Sequence, residues 1–405
     1  MSTAPAGVVA AAGVTAPLGF RAAAVASGIK AEGLDLALVA ADAPCAAAAV
    51  FTTNRAQAAP VVVSREHLAS GRARAVVVNA GCANAATGAA GLADARETAA
   101  LVAQALGCDA GEVVVASTGV IGVALPMDRL RAGVPRAAAA LSREGGAEVA
   151  RAIMTTDTRE KRTTVELDLG GTRVRVGGMA KGAGMIAPRM ATMLAVFTTD
   201  ATVEPAILQE ALRHAVGASL NRITVDGDTS TNDMAVVLAS GAAGAPAITG
   251  PGAHFDAFRD ALTQAARTLA ELIVRDGEGA TRFAEVRVEG ARSADEADRV
   301  ARAIAESPLV KTALHGGDPN WGRILAAAGR SGVVLDADRV DIHLGDVWVA
   351  ENGAARAYDE ASAHQAVIAD PVRIRVSLNA GDAVGWMWTC DISRAYVDIN
   401  AHYRS

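Results

Sequence analysis

Lys181-Gly-Ala-Gly-Met-Ile-Ala-Pro-Arg-Met-Ala-Thr192-Met-Leu stands almost at the midpoint of a chain of 405 residues. A flexible glycine loop runs into Ala191-Thr192 and then into the apolar run Met193-Leu-Ala-Val-Phe197. A hydroxyl residue at the mouth of a buried strand, behind a glycine loop, is the layout of a self-cleaving precursor that exposes Thr192 as a new N-terminus. A threonine activated by its own α-amine is a known solution for a weak nucleophile. That amine, with an unperturbed pKa of about 7.7–8.0, accepts a proton near neutral pH without help from histidine. The same residues also suit a plain Gly-rich turn between two strands, with Thr192 only a β-former. This segment alone leaves both readings standing.

Outward from it, strands and helices alternate. On the N-terminal side, Glu166-Leu-Asp-Leu and Val174-Arg-Val176 read as half-exposed strands joined by Gly170-Gly171. Further back, the apolar strand Ala75–Val78 is followed by the turn-rich Asn79-Ala-Gly-Cys-Ala-Asn84. An Ala-rich helix then runs through about Ala105, ahead of a strand at Val113–Ala116. On the C-terminal side, Ile207, Leu208, Leu212 and Val216 share one face of a helix over 205–219. Phe255, Phe258, Leu262, Leu269 and Ile273 do the same over 255–274. Beyond these, Phe283–Val288 alternates as a strand, and Ser293 with Glu296 forms a capping box for a helix closed by Pro308. Leu344-Gly-Asp-Val347 reads as a tight hairpin turn. The class is α/β or α+β, with a subdivision near residue 285.

With 51% hydrophobic residues the chain can bury a large core, typical of two or more domains. A net charge of −6 without a basic cluster points away from nucleic acid. No apolar run approaches the roughly 18 residues a membrane span needs. The first twenty residues lack a basic n-region before Arg21, so they do not read as a secretory signal. Cys45, Cys82, Cys108 and Cys390 are scattered, reading as reduced, mostly buried thiols of a cytosolic protein. The seven histidines show no HxxxH or HxH spacing, which argues against a zinc site, and no metal is expected.

Four segments could carry chemistry. Ser117-Thr118-Gly119-Val-Ile-Gly122 follows an apolar strand, and loops at strand ends are where α/β proteins place active sites. A hydroxyl beside a glycine N–H suits an oxyanion hole, because glycine lets the main chain approach closely; a plain turn is the alternative. Thr224–Asp233 packs Asp226, Asp228 and Asp233 among hydroxyls. It lacks the glycine and glutamate of an EF-hand and reads as a network of Asx- and Thr-turns. Asp276-Gly-Glu278-Gly279 ends the long helix, and Glu278 has the backbone access of a ligand-binding carboxylate, or sits in a solvated C-cap loop. Lys311–Gly322 is apolar and turn-rich, with a lone His315 to which no role is assigned.

Taken in order, these segments resemble one family. Gly13-Val-Thr-Ala-Pro-Leu-Gly-Phe-Arg21, Asn79–Asn84, Ser117–Gly122, Met154-Thr-Thr-Asp-Thr158, Lys181–Pro188, Val225–Asp233, Asp276–Gly279, Asp318-Pro-Asn-Trp-Gly-Arg323 and Ala395–Ser405 are collinear. Together they look like ornithine acetyltransferase, also called the arginine-biosynthesis glutamate N-acetyltransferase. The resemblance spans the whole chain. It implies self-cleavage into an alpha chain, 1–191, and a beta chain, 192–405, that stay together in an alpha2beta2 heterotetramer. It implies an α/β sandwich of two β-sheets between helix layers, N-terminal-nucleophile-like in layout but wound differently, with a smaller C-terminal α/β domain.

The reaction implied is acetyl transfer from N-acetylornithine to glutamate, with acetyl-CoA a further donor in many members, in the cytoplasm and with no cofactor. Carried over by position, Thr192 is the nucleophile, Ala191–Thr192 the cleaved bond, and Thr118 and Gly119 the oxyanion donors. Thr155, Lys181, Thr192, Glu278, Asn400 and Ser405 match substrate-binding positions. Ser405 stands where members often carry Thr, and keeps the hydroxyl. Lys181 and Glu278 supply the charges of both signs that an amino-acid substrate needs. Two competing readings are a self-processing aminopeptidase or amidase, which passes the acyl group to water, and an unprocessed binding protein on the same fold.

Overall fold

One long strand, β3 (Leu36–Phe51), organises the first sheet. The computed structural model describes residues 7–8, 12–187 and 193–402, and statements of absence below concern these. The other strands of this sheet are β1 (Gly7–Val8), β2 (Phe20–Val25), β4 (Arg72–Cys82), β5 (Val113–Val120), β6 (Lys161–Leu169), β7 (Thr172–Lys181), β8 (Leu194–Thr199) and β10 (Met234–Ala239). They run in the order β1-β6-β7-β8-β10-β3-β4-β5, with β2 paired to β3. The first half of β3 pairs with β2 and β4; after a break in register between Ala40 and Cys45, the second half pairs with β10.

Side-chain alternation shows that the sheet doubles back at β3 into two facing layers. Ala37, Val39, Val76, Val78 and Val114 share an inner core with Leu194, Val196, Met234, Val236 and Leu238. Their neighbours point the other way, as a period of two requires. Leu36, Leu38, Val77 and Val115 pack on α1 (Ala59–His67), α2 (Gly88–Leu106) and α3 (Met127–Ala139). Ala195, Phe197, Ala235 and Val237 pack on α5 (Pro205–Gly217) and α6 (Ala253–Arg275). A short α4 (Gly146–Ala152) closes one edge of the inner core. The sandwich between helix layers is present, and its two layers are hydrogen-bonded through β3 as one folded sheet. Small side chains make the close approach possible: only 3% of residues are aromatic.

A second sheet runs β14-β13-β12-β15-β11-β16-β9. Its strands are β9 (Ile223–Thr224), β11 (Phe283–Ala291), β12 (Asp341–Leu344), β13 (Val347–Glu351), β14 (Ala354–Ala355), β15 (Val372–Ser377) and β16 (Ala383–Cys390). Val286, Val288, Ile374 and Val376 turn one face onto α7 (Ala294–Ala305), α9 (Trp321–Gly329) and α10 (Glu360–Ile368). The two sheets are not separate bodies of sequence. β9 precedes residue 283 yet pairs with β16, and Phe283, Trp388 and Cys390 belong to the core built on α5 and α6.

Ser293 caps α7 by accepting from the Glu296 N–H, as its spacing predicts. Pro308 does not close α7. It opens α8 (Pro308–Gly316), taking the first-turn position where its missing N–H costs nothing. The stretch read as turn-rich at 311–322 is therefore largely helical. All four cysteines are free thiols, with Cys45, Cys82 and Cys390 buried. No helix among the described residues is long and apolar enough to cross a membrane.

Candidate active site

A pocket opens where β8 begins. Leu194 pairs with Lys181, the last residue of β7, and with Met234, the first of β10. The end of β5, the loop into β10 and the turn after α6 complete the wall. Thr118, Gly119, Thr155, Lys181, Glu278 and Asn400 all line it. Residues more than 280 positions apart in sequence thus meet in one cavity, as the resemblance implies. Ala191, Thr192 and Ser405 lie outside the described residues; Met193, bonded to Thr192, lines the pocket.

β5 continues through Ser117, Thr118 and Gly119 to Val120, so these residues are a strand end, not the loop read from sequence. They pair with Asn79, Ala80 and Gly81 of β4, and a bulge at Cys82 faces Thr118 and Val120. Bulges beside active sites re-aim the chain. Gly119 has a φ of 125°, and a Cβ there would lie 2.4 Å from the Gly81 carbonyl carbon, so only glycine fits. Ser117 Oγ donates to Asn79 Oδ1 (2.6 Å), and Asn79 Nδ2 to Cys82 O (2.8 Å). The buried Asn232 amide donates to both Ala83 O and Ser117 O, at 2.6 and 2.9 Å. It ties the loop before β10 to the β4 and β5 ends, fixing Thr118 and Gly119 from behind.

The glycine loop after β7 is held as far as it is described. Asp226 accepts from the N–H groups of Met185 (2.6 Å), Ile186 (2.9 Å) and Asp228 (3.1 Å). Burial pushes its pKa up against these donors. The Glu278 N–H donates to Ala183 O at 2.9 Å. A Cβ on Gly184 would fall 2.4 Å from the Glu278 carboxylate, so glycine lets the loop cross that side chain. Asn400, on α11 (Arg394–His402), donates to Glu278 Oε2 at 2.7 Å. The Asx network expected at 224–233 exists, and it serves as the clamp on the glycine loop.

Lys181 Nζ donates to Thr155 Oγ1 (2.7 Å) and stands 3.9 Å from Asp157. Asp157 also takes Lys161 Nζ at 2.7 Å, and Lys161, fully buried, reaches Asp276 at 2.6 Å. Burial raises the pKa of Asp157, but Lys181 and Lys161 outweigh it and hold the carboxyl at about 2. Sequence reading missed Asp157, Lys161 and Asp276 as a unit. Asp157 and Asp276 stand in two of the collinear segments, but nothing in the local pattern linked them to Lys161, which opens a strand of mostly polar residues.

Two consequences are measurable. Asp157 contributes stability that is present above the ordinary carboxylate value of 3.8 and is lost as pH falls toward about 2. Lys161→Met leaves Asp157 and Asp276 buried without their shared cation, and such a break costs about 3–5 kcal/mol. Urea unfolding at pH 7 is expected to show that loss. A midpoint within error of wild type overturns the view that this lysine holds the pocket wall.

Comparison with known proteins agrees with the geometry. The family model described as "ArgJ family" matches residues 21–405. The arginine biosynthesis bifunctional protein ArgJ of Symbiobacterium thermophilum is 53% identical over 396 residues, 97% of this chain and 98% of that protein. Its counterpart from Dehalococcoides mccartyi is 49% identical over 393 residues, 96% of each. The crystal structure of the Bacillus halodurans ArgJ protein superposes with a TM-score of 0.50 at 44% identity, covering 51% of this chain and 98% of that one. Matched almost end to end in sequence and carrying its charged residues into one pocket, the chain belongs to the ArgJ family.

Proposed function

We propose that this pocket moves an acetyl group from N-acetylornithine to glutamate by way of an ester on Thr192, exposed when the chain cuts itself between Ala191 and Thr192. As a member of the ArgJ family the chain is an acetyltransferase of arginine biosynthesis. The observation that carries the finer reading is the convergence of Thr118, Gly119, Lys181 and Glu278 on the entry to β8. An amide is a hard electrophile, so a strand end with a bulge and a glycine beside it supplies what the reaction most needs, oxyanion stabilisation. One cation and one anion suit a substrate with both a carboxylate and an ammonium. Burial of Lys181 and Glu278 supports exclusion of water, which favours transfer over hydrolysis.

Half-length supports the cut. The Bacillus halodurans chain is matched over 98% of itself yet covers 51% of this one, while the Symbiobacterium protein aligns end to end. The reading extends to acetyl-CoA as a second donor, an alpha2beta2 assembly of the two cut chains, and a cytoplasmic setting with no cofactor.

Donor and acceptor use one site in turn, so double-reciprocal plots are expected to be parallel. Mass spectrometry of enzyme mixed with donor alone is expected to show one acetyl group on the 192–405 chain. Intersecting plots without an acetylated chain point to direct transfer, and release of free acetate in place of N-acetylglutamate points to an amidase.

A further inference from the structure

Two walls of the pocket come from distant parts of the chain. Thr118 and Gly119 lie at the end of β5, while Thr155 follows α4 and Lys181 ends β7. A substrate held by its charged end on the second wall presents its acyl carbon to the first only if the gap between them is fixed. Lys30 has no role in the site as described so far and is not among the described lining residues. It spans the two walls from behind.

Lys30 is half-buried in the loop between β2 and β3. That loop is wrapped around the fully buried Asp35. The Asp35 carboxylate accepts from the N–H groups of Ser27 (2.6 Å), Gly28 (2.9 Å), Ile29 (2.7 Å) and Lys30 (3.0 Å), and from the Ser27 hydroxyl (2.7 Å). Five donors saturate one carboxylate and hold the backbone of 27–30 in a single arrangement. The Asp35 carbonyl accepts from the Ala80 N–H at 2.8 Å, which mounts the loop on the end of β4. Next to Ala80, a Cβ on Gly81 would fall 3.0 Å from Lys30 Cγ and 3.1 Å from Ile29 Cγ2. Gly81 in turn backs Gly119, so the stem of Lys30 is set against the first wall.

The ammonium of Lys30 reaches the second wall. It donates to Met154 O at 3.1 Å and to Ala152 O at 3.3 Å, at the C-terminus of α4, where a cation is favoured. Met154 precedes Thr155, whose N–H donates to Asp157 at 3.1 Å and whose hydroxyl accepts from Lys181 at 2.7 Å. Both acceptors of Lys30 are main-chain groups, so it fixes the backbone from which Thr155 projects. We infer that Lys30 is a positioning residue for acetyl transfer: it sets the distance between the oxyanion end of β5 and the Thr155–Lys181 wall that takes the substrate's charged end. The inference rests on the reaction proposed above. Lys30 acts by geometry alone, and displacing a positioned group by about 1 Å costs about 10²-fold in rate.

Lys30→Met keeps most of the length and the apolar stem of the side chain and deletes both carbonyl bonds. In the mature enzyme its kcat/KM for N-acetylornithine is expected to fall about 10²-fold, with KM for donor and for glutamate each rising about tenfold. Loss of folded protein alone behaves differently: it lowers kcat per mole of chain and leaves KM as it was. Thermal melting and a gel of the cut chains accompany the kinetics. A K30M enzyme with the wild-type KM for both substrates overturns the inference, whether or not kcat has fallen. Should K30M fail to fold or to cut, Lys30→Gln, shorter but still polar, is read by the same split. A folded K30Q with the wild-type KM overturns the inference equally, and a raised KM supports it. Wild type that moves no acetyl group to glutamate removes the reaction itself, and the inference with it.

Discussion

Thr192→Ala is expected to leave one uncut chain and to abolish acetyl transfer, while wild type yields fragments 1–191 and 192–405. The effect is all or none because a single hydroxyl is asked to act twice. On the function proposed above, it attacks its own preceding carbonyl in the precursor and, with a free α-amine as base, the acetyl donor in the mature enzyme. Alanine removes the nucleophile from both steps. Folding should survive. The described residues on either side are secured without this side chain: Met193 O accepts from Met234 N–H, Ile186 O accepts from Val225 N–H, and Asp226 holds Met185 and Ile186. A gel settles the first half and N-terminal sequencing of the C-terminal fragment the second. A fragment that begins anywhere but Thr192 would falsify the assignment of the cut, and a T192A chain with normal turnover would remove the nucleophile.

Much of the sandwich was legible in the chain, for a physical reason. Strands buried on both faces are continuous apolar runs, so Ala75–Val78, Val113–Ala116 and Leu194–Phe197 announce themselves, and α6 shows its period because only one of its faces is buried. The fold-back at β3 was not legible. An Ala-rich run of 16 residues has no side-chain alternation strong enough to show where the partner on one of its edges changes from β2 to β10. The pocket was legible only as separate segments. Nothing in the local pattern of Thr118, Lys181 or Glu278 distinguishes a lining residue from a turn residue, and it took the collinear resemblance to place them together. The buried chain from Lys181 through Asp157 and Lys161 to Asp276 was silent, because its links lie outside any one helix or strand and the one from Lys161 to Asp276 crosses more than 100 positions, which leaves no periodic trace.

Thr118→Ala is expected to lower kcat about 10²- to 10³-fold with a smaller change in KM, the usual loss when one oxyanion donor is removed. The argument starts from rigidity. Thr118 is half-buried at the end of a strand whose preceding residues are fully buried, so its backbone does not move when the side chain is cut back. Gly119 beside it is fixed by close contact with Gly81, and Asn232 anchors the Ser117 carbonyl. Removing the Thr118 side chain therefore deletes one hydroxyl and leaves the rest of the proposed oxyanion hole in place. A donor of this kind is aimed at charge that develops only in the tetrahedral intermediate, so its loss falls on kcat and not on binding of donor or acceptor. Steady-state kinetics of the mature enzyme, with N-acetylornithine and glutamate varied separately, read the split. An unchanged kcat with a raised KM means that Thr118 contacts the ground-state substrate, and the oxyanion role then passes to Gly119 alone. The proposed self-cleavage passes through a tetrahedral intermediate of its own, on the Ala191 carbonyl. If the same strand end serves both reactions, T118A also slows processing, and the two rate losses, measured on one preparation, show whether one hole or two is at work.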